Sequence, residues 1–508
     1  MKLRNRAGAL LLAAVLLFSL AGCGRSDRRE EKETLHLANS FSYSSLDPHK
    51  DYYGWYTSCY GVTETLFQLN DNMGIDPWLA ESAEQNGRTW TIRLNRAAAF
   101  SNGKPLTAEM VIRNLKRAAE VNPRFSYFGD YAYRAVSERE LTITTPETEP
   151  VLKNDLASPE LAMVDLDGTK DIDRNPIATG PFLIESFTPQ GDTIVRRNPH
   201  YWNGTAKVKR VVFHYMQEDE TKLLAMEGNE IQGYDSVTAN ACLLYRKHPE
   251  KYKLTNVRGT RLQFCEYNER TMDANLRRAV NGSFDKQEMM RYLHGTVAAT
   301  DGPFPTNTAY GKVEHAAKRI SRAEAQALIE KDGYRKGKDG YYQKGGKRLS
   351  LRIAYYPARS LDSLALLMQE QLKKLGVAST LHSYEDPDST YMANHNFDIA
   401  LYCMIADKTG DPYYFIDSVL KSDGAANAGG YRDSRTDALI RQLKPETDPA
   451  QRAELAREIV QRSIDSDAIG YIGMFNKITV LAPGLTGYAA RNPADYYAID
   501  ANTDWKGA

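Results

Sequence analysis

The sequence predicts an α/β fold divided into two or three lobes, and three observations predict it. The stretch from about residue 34 to residue 508 is too long for one ordinary hydrophobic core. Residues 349–402 read as strand, helix, strand, strand, the order that favours a parallel sheet with a right-handed crossover. An alternating strand at 90–94, followed by a capped helix, makes an earlier stretch of the chain mixed as well.

The chain begins with an export pattern. Lys2, Arg4 and Arg6 form a positive head, and Ala7–Phe18 an apolar stretch too short to span a bilayer. Leu20-Ala21-Gly22-Cys23 closes it and resembles the lipobox of bacterial lipoproteins, which implies lipidation at Cys23 and a chain that works outside the cytoplasm, anchored by acyl chains. Ser26–Thr34 is polar and aperiodic, and reads as a tether. Beyond the signal the chain carries 62 basic and 65 acidic residues, so no basic surplus points to nucleic acid, and no later segment is apolar enough to cross a membrane.

Trp90, Ile92 and Leu94 alternate as a half-buried strand, Phe100–Pro105 reads as a turn, and Thr107 caps a helix whose Val111, Leu115 and Ala118 share one face. Ser321-Arg-Ala-Glu324 is a capping-box pattern for a helix that Gly333 would stop. Asp339-Gly340 marks a hairpin. Leu349, Leu351, Ile353 and Tyr355 alternate as a strand; Leu361, Leu364, Met368, Leu372 and Leu375 follow helical spacing up to Gly376; Ala378–His382 and Phe397–Tyr402 are further strands. Sites in such sheets gather at the carboxyl ends of strands, which directs attention to Cys403–Phe415.

Catalytic patterns are missing. There is no G-x-S-x-G, no H-E-x-x-H and no G-x-G-x-x-G after a strand. Gly340–Lys347 has the wrong spacing for a phosphate loop, and Arg348 stands where Ser or Thr is required. The nine histidines are dispersed. Cys59, Cys242, Cys265 and Cys403 are scattered without a C-x-x-C, so buried free thiols are the simpler reading, with one or two disulfides left open. The chain is expected to be no enzyme and to hold no cofactor or resident metal.

Several motifs taken together resemble family 5 of the solute-binding proteins of ABC importers, the peptide- and nickel-binding group. They are Ser45-Leu-Asp-Pro-His49, Thr65-Leu-Phe67 with Pro77-Trp-Leu-Ala-Glu81, Trp90–Leu94 with Phe100–Thr107, Thr179-Gly-Pro-Phe182, Asn198-Pro-His-Tyr-Trp202, Gly430-Tyr-Arg-Asp433 and Asp437-Ala-Leu-Ile440. The resemblance implies a periplasmic-binding-protein type II (cluster C) fold, two lobes built from three domains. After a signal peptide at 1–22 and a tether at 23–33, domain I would comprise 34–67, 181–268 and 478–508, domain II 68–180 and domain III 269–477. A hinge is implied at Gly180-Pro181 and near 478. Closure around a small-molecule or short-peptide cargo, passed to an ABC permease with its ATPase, is the implied mechanism. A lipid-anchored monomer on the periplasmic side or outer cell surface is expected.

The resemblance also marks site residues. Arg124 matches an arginine that, in the nickel-binding branch, holds a chelator carboxylate, a task suited to a forked guanidinium. Glu160 stands where that branch has a second arginine, which removes half of an anionic clamp. Asp407 lies where peptide-binding members pair an aspartate with the α-ammonium. Trp55, Tyr56, Tyr60 and Tyr127 correspond to rings that line the pocket or pack its core. A short peptide is the preferred cargo, with a nickel or metallophore chelate as the alternative. A lipid-anchored peptide-sensing receptor is the alternative of another class, since it needs the same cleft.

Overall fold

The computed structural model describes residues 34–40, 43–488, 494 and 496–507; the export segment, Cys23 and the tether lie outside the described residues. Within them a mixed sheet runs through the molecule in the order β12-β11-β13-β10-β14-β9-β1-β8-β7-β6. Its strands are β1 (Thr34–Asn39), β6 (Phe182–Phe187), β7 (Thr193–Arg197), β8 (Arg210–Tyr215), β9 (Gly233–Tyr234), β10 (Lys253–Tyr267), β11 (Ser350–Tyr355), β12 (Ala378–Ser383), β13 (Ile399–Ile405) and β14 (Ile469–Leu481). A short strand, Val297–Ala299, pairs with β14 off this path. Four further strands, β2 (Ala80–Asn86), β3 (Thr89–Leu94), β4 (Ala132–Ser137) and β5 (Glu140–Thr144), form a separate antiparallel sheet.

The two longest strands join the halves of the large sheet. The early part of β10 pairs with the late part of β14 beside β9 and β1, while Arg261–Tyr267 pair with β13. Between Arg258 and Arg261 the register slips. Gly259 sits in that slip, where a Cβ would lie 2.4 Å from the Phe475 carbonyl oxygen. Such a bulge bends a strand, so the passage from the first lobe (34–252 and 478–507) to the second (261–475) falls inside β10 and β14.

The β-α-β run is built as its periodicity predicts. β11 pairs in parallel with both β12 and β13. The crossing helix, Leu361–Leu375, buries Leu361, Leu364, Met368, Leu372 and Leu375 and ends at Gly376 in the left-handed region, φ 95°. The capping box at Ser321 makes both of its hydrogen bonds, and Thr107 accepts from the Met110 amide. Arg335–Lys336 and Tyr342–Lys344 form the hairpin at Asp339-Gly340. Ser321→Ala should lower stability by about 1 kcal/mol, read as a shifted urea midpoint with unchanged slope.

The family-like motifs are wired to one another in the first lobe. Asp47, fully buried, accepts two hydrogen bonds from Arg117 at 2.6 and 2.9 Å, and Arg117 also donates to His49 Nδ1 at 2.8 Å. His49 Nε2 donates to the Ala162 carbonyl at 2.9 Å, and burial holds its pKa down at about 4. Glu64 accepts from the Tyr201 hydroxyl at 2.7 Å and the Trp202 indole at 2.8 Å. Gly180 packs so closely on the chain that a Cβ would lie 2.3 Å from the Gly61 oxygen. All four described cysteines are free thiols; Cys242, Cys265 and Cys403 are buried, but Cys59 is half-buried, because its short helix lies along the first lobe's edge.

Candidate functional site

The two lobes touch, and the loop after β13 makes the contact. Asn154 Nδ2 of the first lobe donates to the Thr409 carbonyl at 2.7 Å, and the Tyr496 hydroxyl donates to the Lys408 carbonyl at 3.2 Å. At Gly410, φ 76°, a Cβ would lie 2.0 Å from the Met73 oxygen, so only glycine admits this approach. Lys444 reaches Glu147 across the same gap at 3.3 Å. The lobes are therefore in direct contact at this loop.

On the first lobe, helix Tyr53–Cys59 lays Gly54 directly on the chain at Pro159, where a Cβ would lie 2.3 Å from the Pro159 oxygen. This contact sets Trp55 and Tyr56, whose rings are 4.8 Å apart, near Glu160. Glu160 is buried, accepts from Ser158 Oγ at 2.9 Å and lies 4.0 Å from the Arg124 guanidinium. Arg124 stacks over the Tyr52 ring at 3.6 Å. Two of the expected site residues are thus brought together, and each partly satisfies the other's charge. Gly54→Ala should push the helix off Pro159 and weaken cargo binding severalfold, measurable by calorimetry beside an unchanged far-ultraviolet spectrum.

The second lobe answers with cations and aromatic rings. Tyr356 and Arg359 follow β11, which runs parallel to β13 and pairs with its first residues, Ile399 and Ala400. Arg359 and Ser360 both hold positive φ, 55° and 61°, and the Arg359 carbonyl accepts from Gln263 Nε2 of β10. Two adjacent non-glycine residues in this region store backbone strain, and such strain clusters at ligand clamps. The Tyr356 hydroxyl donates to the Cys403 carbonyl at 3.1 Å. Burial pushes Tyr56 up to about 12, and Arg359 opposes that rise from across the gap. Burial also raises Tyr496, which stands between the lobes with Glu160 and Asp407 on its acidic side and Arg261 on its basic side. Arg261 and Arg359 both oppose the rise that burial imposes on the Cys403 thiol. Arg359 forms no ion pair among the described residues.

Asp407 faces Tyr496 but spends its hydrogen bonds within its own lobe, and Tyr127 bonds a different neighbour. Asp407 is fully buried; its oxygens accept from the Tyr310 hydroxyl at 2.5 Å and the Gly410 amide at 2.7 Å, and burial pushes it up to about 7. In this arrangement it shapes the contact loop. Tyr127 is 36% exposed, and its hydroxyl donates to Asp155 at 3.0 Å. Tyr60 is core, packed on Phe213 at 4.6 Å. Neighbouring Asp411 is held by Arg452 at 2.7 Å, a structural pair within the second lobe. Arg261, Tyr356, Arg359 and Tyr496 were not anticipated from the sequence. The only advance signal for Tyr356 and Arg359 was their place just after a parallel strand.

No described helix is long and apolar enough to cross a membrane, and among the described residues no three of His, Cys, Asp and Glu gather to hold a metal. The profile of the bacterial extracellular solute-binding proteins, family 5 (middle region), matches residues 74–427. The nickel-binding protein NikA of Staphylococcus aureus is 25% identical over 503 residues, 97% of this chain and 98% of its own. The periplasmic oligopeptide-binding protein OppA of Salmonella typhimurium is 23% identical, over 92% of this chain and 91% of its own. The crystal structure of NikA from S. aureus in complex with Ni(L-His)2 superposes with a TM-score of 0.76, covering 93% of this chain and all of that one. With the mixed sheet, the paired lobes and a site between them, these matches establish that the chain belongs to the bacterial extracellular solute-binding proteins of family 5, the substrate receptors of ABC importers rather than enzymes.

Proposed function

We propose that this receptor captures a divalent-metal chelate between its lobes and delivers it to its permease, working outside the cytoplasm from a lipid anchor on Cys23. The observation that carries the reading is a pair of second-lobe cations at first-lobe rings: Arg359 faces Tyr56, and Arg261 faces Tyr496 together with Glu160 of the Arg124–Glu160 pair. Guanidinium groups bind carboxylates in paired hydrogen bonds and repel a bare metal ion, so the cargo's negative charge would come from a chelator. The flanking rings supply flat apolar walls for such a complex. The bound complex in the S. aureus relative's structure, Ni(L-His)2, belongs to this chemical class.

Titration calorimetry with Ni(II) alone, L-histidine alone, and the two combined tests it. Tight binding should need both components, and equal heats for histidine with and without nickel would overturn the proposal. A short peptide is the second reading. In its favour stand the OppA relative and the Asp407 carboxyl, which meets Tyr310 and Gly410 but, among the described residues, forms no ion pair. Binding of a free peptide that acetylation of its amine abolishes would decide for it. Cys23→Ser should move the protein from the membrane pellet to the soluble fraction with cargo affinity unchanged; a variant that still pellets would refute the anchor.

A further inference from the structure

Three successive residues of one second-lobe loop each touch the first lobe. The Lys408 carbonyl accepts from the Tyr496 hydroxyl at 3.2 Å, and the Thr409 carbonyl accepts from Asn154 Nδ2 at 2.7 Å. Gly410 is pressed between two first-lobe segments: a Cβ there would lie 2.0 Å from the Met73 carbonyl oxygen and 3.5 Å from Asn154 Nδ2. Both cross-lobe hydrogen bonds join uncharged groups. The Lys444–Glu147 pair at the same gap is exposed on both sides and contributes little.

Each side of this contact is shaped within its own lobe. Asp407 accepts from the Gly410 amide at 2.7 Å and from the Tyr310 hydroxyl at 2.5 Å, and Asp411 is gripped by Arg452 at 2.7 and 2.9 Å. The loop is thus pinned at both shoulders. On the first lobe Met73 holds φ 62° in a tight turn, where Asn70 Oδ1 accepts from the Asn72 and Gly74 amides at 3.0 and 2.9 Å. A non-glycine residue in this region is strained, and such strain persists where the surroundings over-determine it, as at clamps and switches.

We propose that residues 408–410, received by Met73, Asn154 and Tyr496, form a latch that holds the lobes together through protein atoms alone. Asn154 and Gly410 are then positioning residues: they act on cargo through the closing equilibrium and not by touching it. The latch exists only when the lobes meet, so it multiplies the closing constant by one factor whatever lies between them. Its loss should therefore weaken every cargo by the same ratio and leave selectivity unchanged. Loss of a cleft cation such as Arg359 should instead depend on the charge of the cargo.

This inference rests on the closing lobes of the proposed function, not on a chelate as cargo. Single-molecule energy transfer tests it on the cargo-free mature chain, with dyes coupled at Glu109 of the first lobe and Lys373 of the second, both exposed. The wild type should populate a short-distance state. Asn154→Asp keeps the side chain's shape but sets a carboxylate against the Thr409 carbonyl, and should lower the ratio of short- to long-distance molecules by roughly 2- to 10-fold or more. Gly410→Ala should lower it further, and Lys444→Ala should leave it unchanged. Calorimetry with nickel plus L-histidine, and with a tripeptide, should show Asn154→Asp weakening by one common factor whichever of these the wild type binds. A wild type that ignores nickel–histidine would count against the chelate alone, because the distance ratio is read without cargo. A wild type lacking the short-distance state, or a wild-type ratio in Asn154→Asp, would overturn the latch.

Discussion

Alanine at Arg359 should weaken binding of the nickel–histidine complex by about 30- to 1,000-fold while leaving the urea midpoint unchanged. Truncating one partner of a desolvated charge pair costs roughly 2–4 kcal/mol, which corresponds to that range. Arg359 is placed for this loss to fall on cargo rather than on the fold: it forms no ion pair among the described residues, and the Gln263 side chain holds the carbonyl of its loop, not its guanidinium. Arg359→Lys keeps the charge but not the fork, and should recover only part of the affinity. Arg261→Ala should weaken binding similarly, with the double variant less than additive if both grip one carboxylate. Glu160→Ala works in the opposite direction: it frees Arg124 from its 4.0 Å partner and should tighten an anionic cargo. Calorimetry on the five variants separates these outcomes. Wild-type affinity in both Arg359→Ala and Arg261→Ala would remove the second lobe's cations from the site.

The sequence carried the parts of this molecule that rest on local periodicity. Strand alternation and 3.6-residue spacing located β11, the crossing helix, β12 and β13 to within a few residues, because each element buries one face of its own. The carboxyl-end rule then pointed to the loop where the lobes touch, and it could reach no further than the loop. Asp407 lies in that loop, but its carboxyl is captured by a tyrosine 97 positions earlier and by an amide three positions later, and neither contact leaves a pattern in the sequence. Arg359 lies under the same rule after β11, where nothing local distinguished it from a solvated loop arginine. Arg261 is one residue of a long strand, and its importance comes from a bulge that only pairing reveals. The Arg124–Glu160 contact depends on Gly54 lying against Pro159, a contact between segments more than a hundred residues apart. The Gly180-Pro181 pair, a hinge candidate by resemblance, packs tightly on Gly61, and the register slip at Gly259 adds a bend in β10 that no local pattern announces.

Glu64→Ala should destabilise the protein by about 3 kcal/mol, with cargo affinity unchanged at low temperature. Glu64 is buried where the irregular segment after the first helix meets the Asn198–Trp202 motif, and it is the acceptor for Tyr201 and Trp202 together. Removing it leaves a hydroxyl and an indole N–H without partners away from bulk water, each costing about 1–3 kcal/mol, and opens a void the size of a carboxymethyl group. The same group gives wild-type stability a recognisable pH dependence. Burial, only partly opposed by those two donors, raises Glu64 from 4.5 to about 7 in the folded protein. A group raised on folding contributes fully below its unfolded value, and that contribution is lost as pH rises through the folded one. The wild type should therefore lose stability between about pH 4.5 and pH 7, by up to about 1.4 kcal/mol per pH unit, and then level off. Glu64→Gln cannot titrate, so its urea midpoints should lack this component and gain on the wild type across the same window. Parallel pH profiles for Glu64→Gln and wild type would show that the carboxyl titrates no differently folded than unfolded, and a Glu64→Ala midpoint equal to wild type would remove the residue as the link between the two motifs.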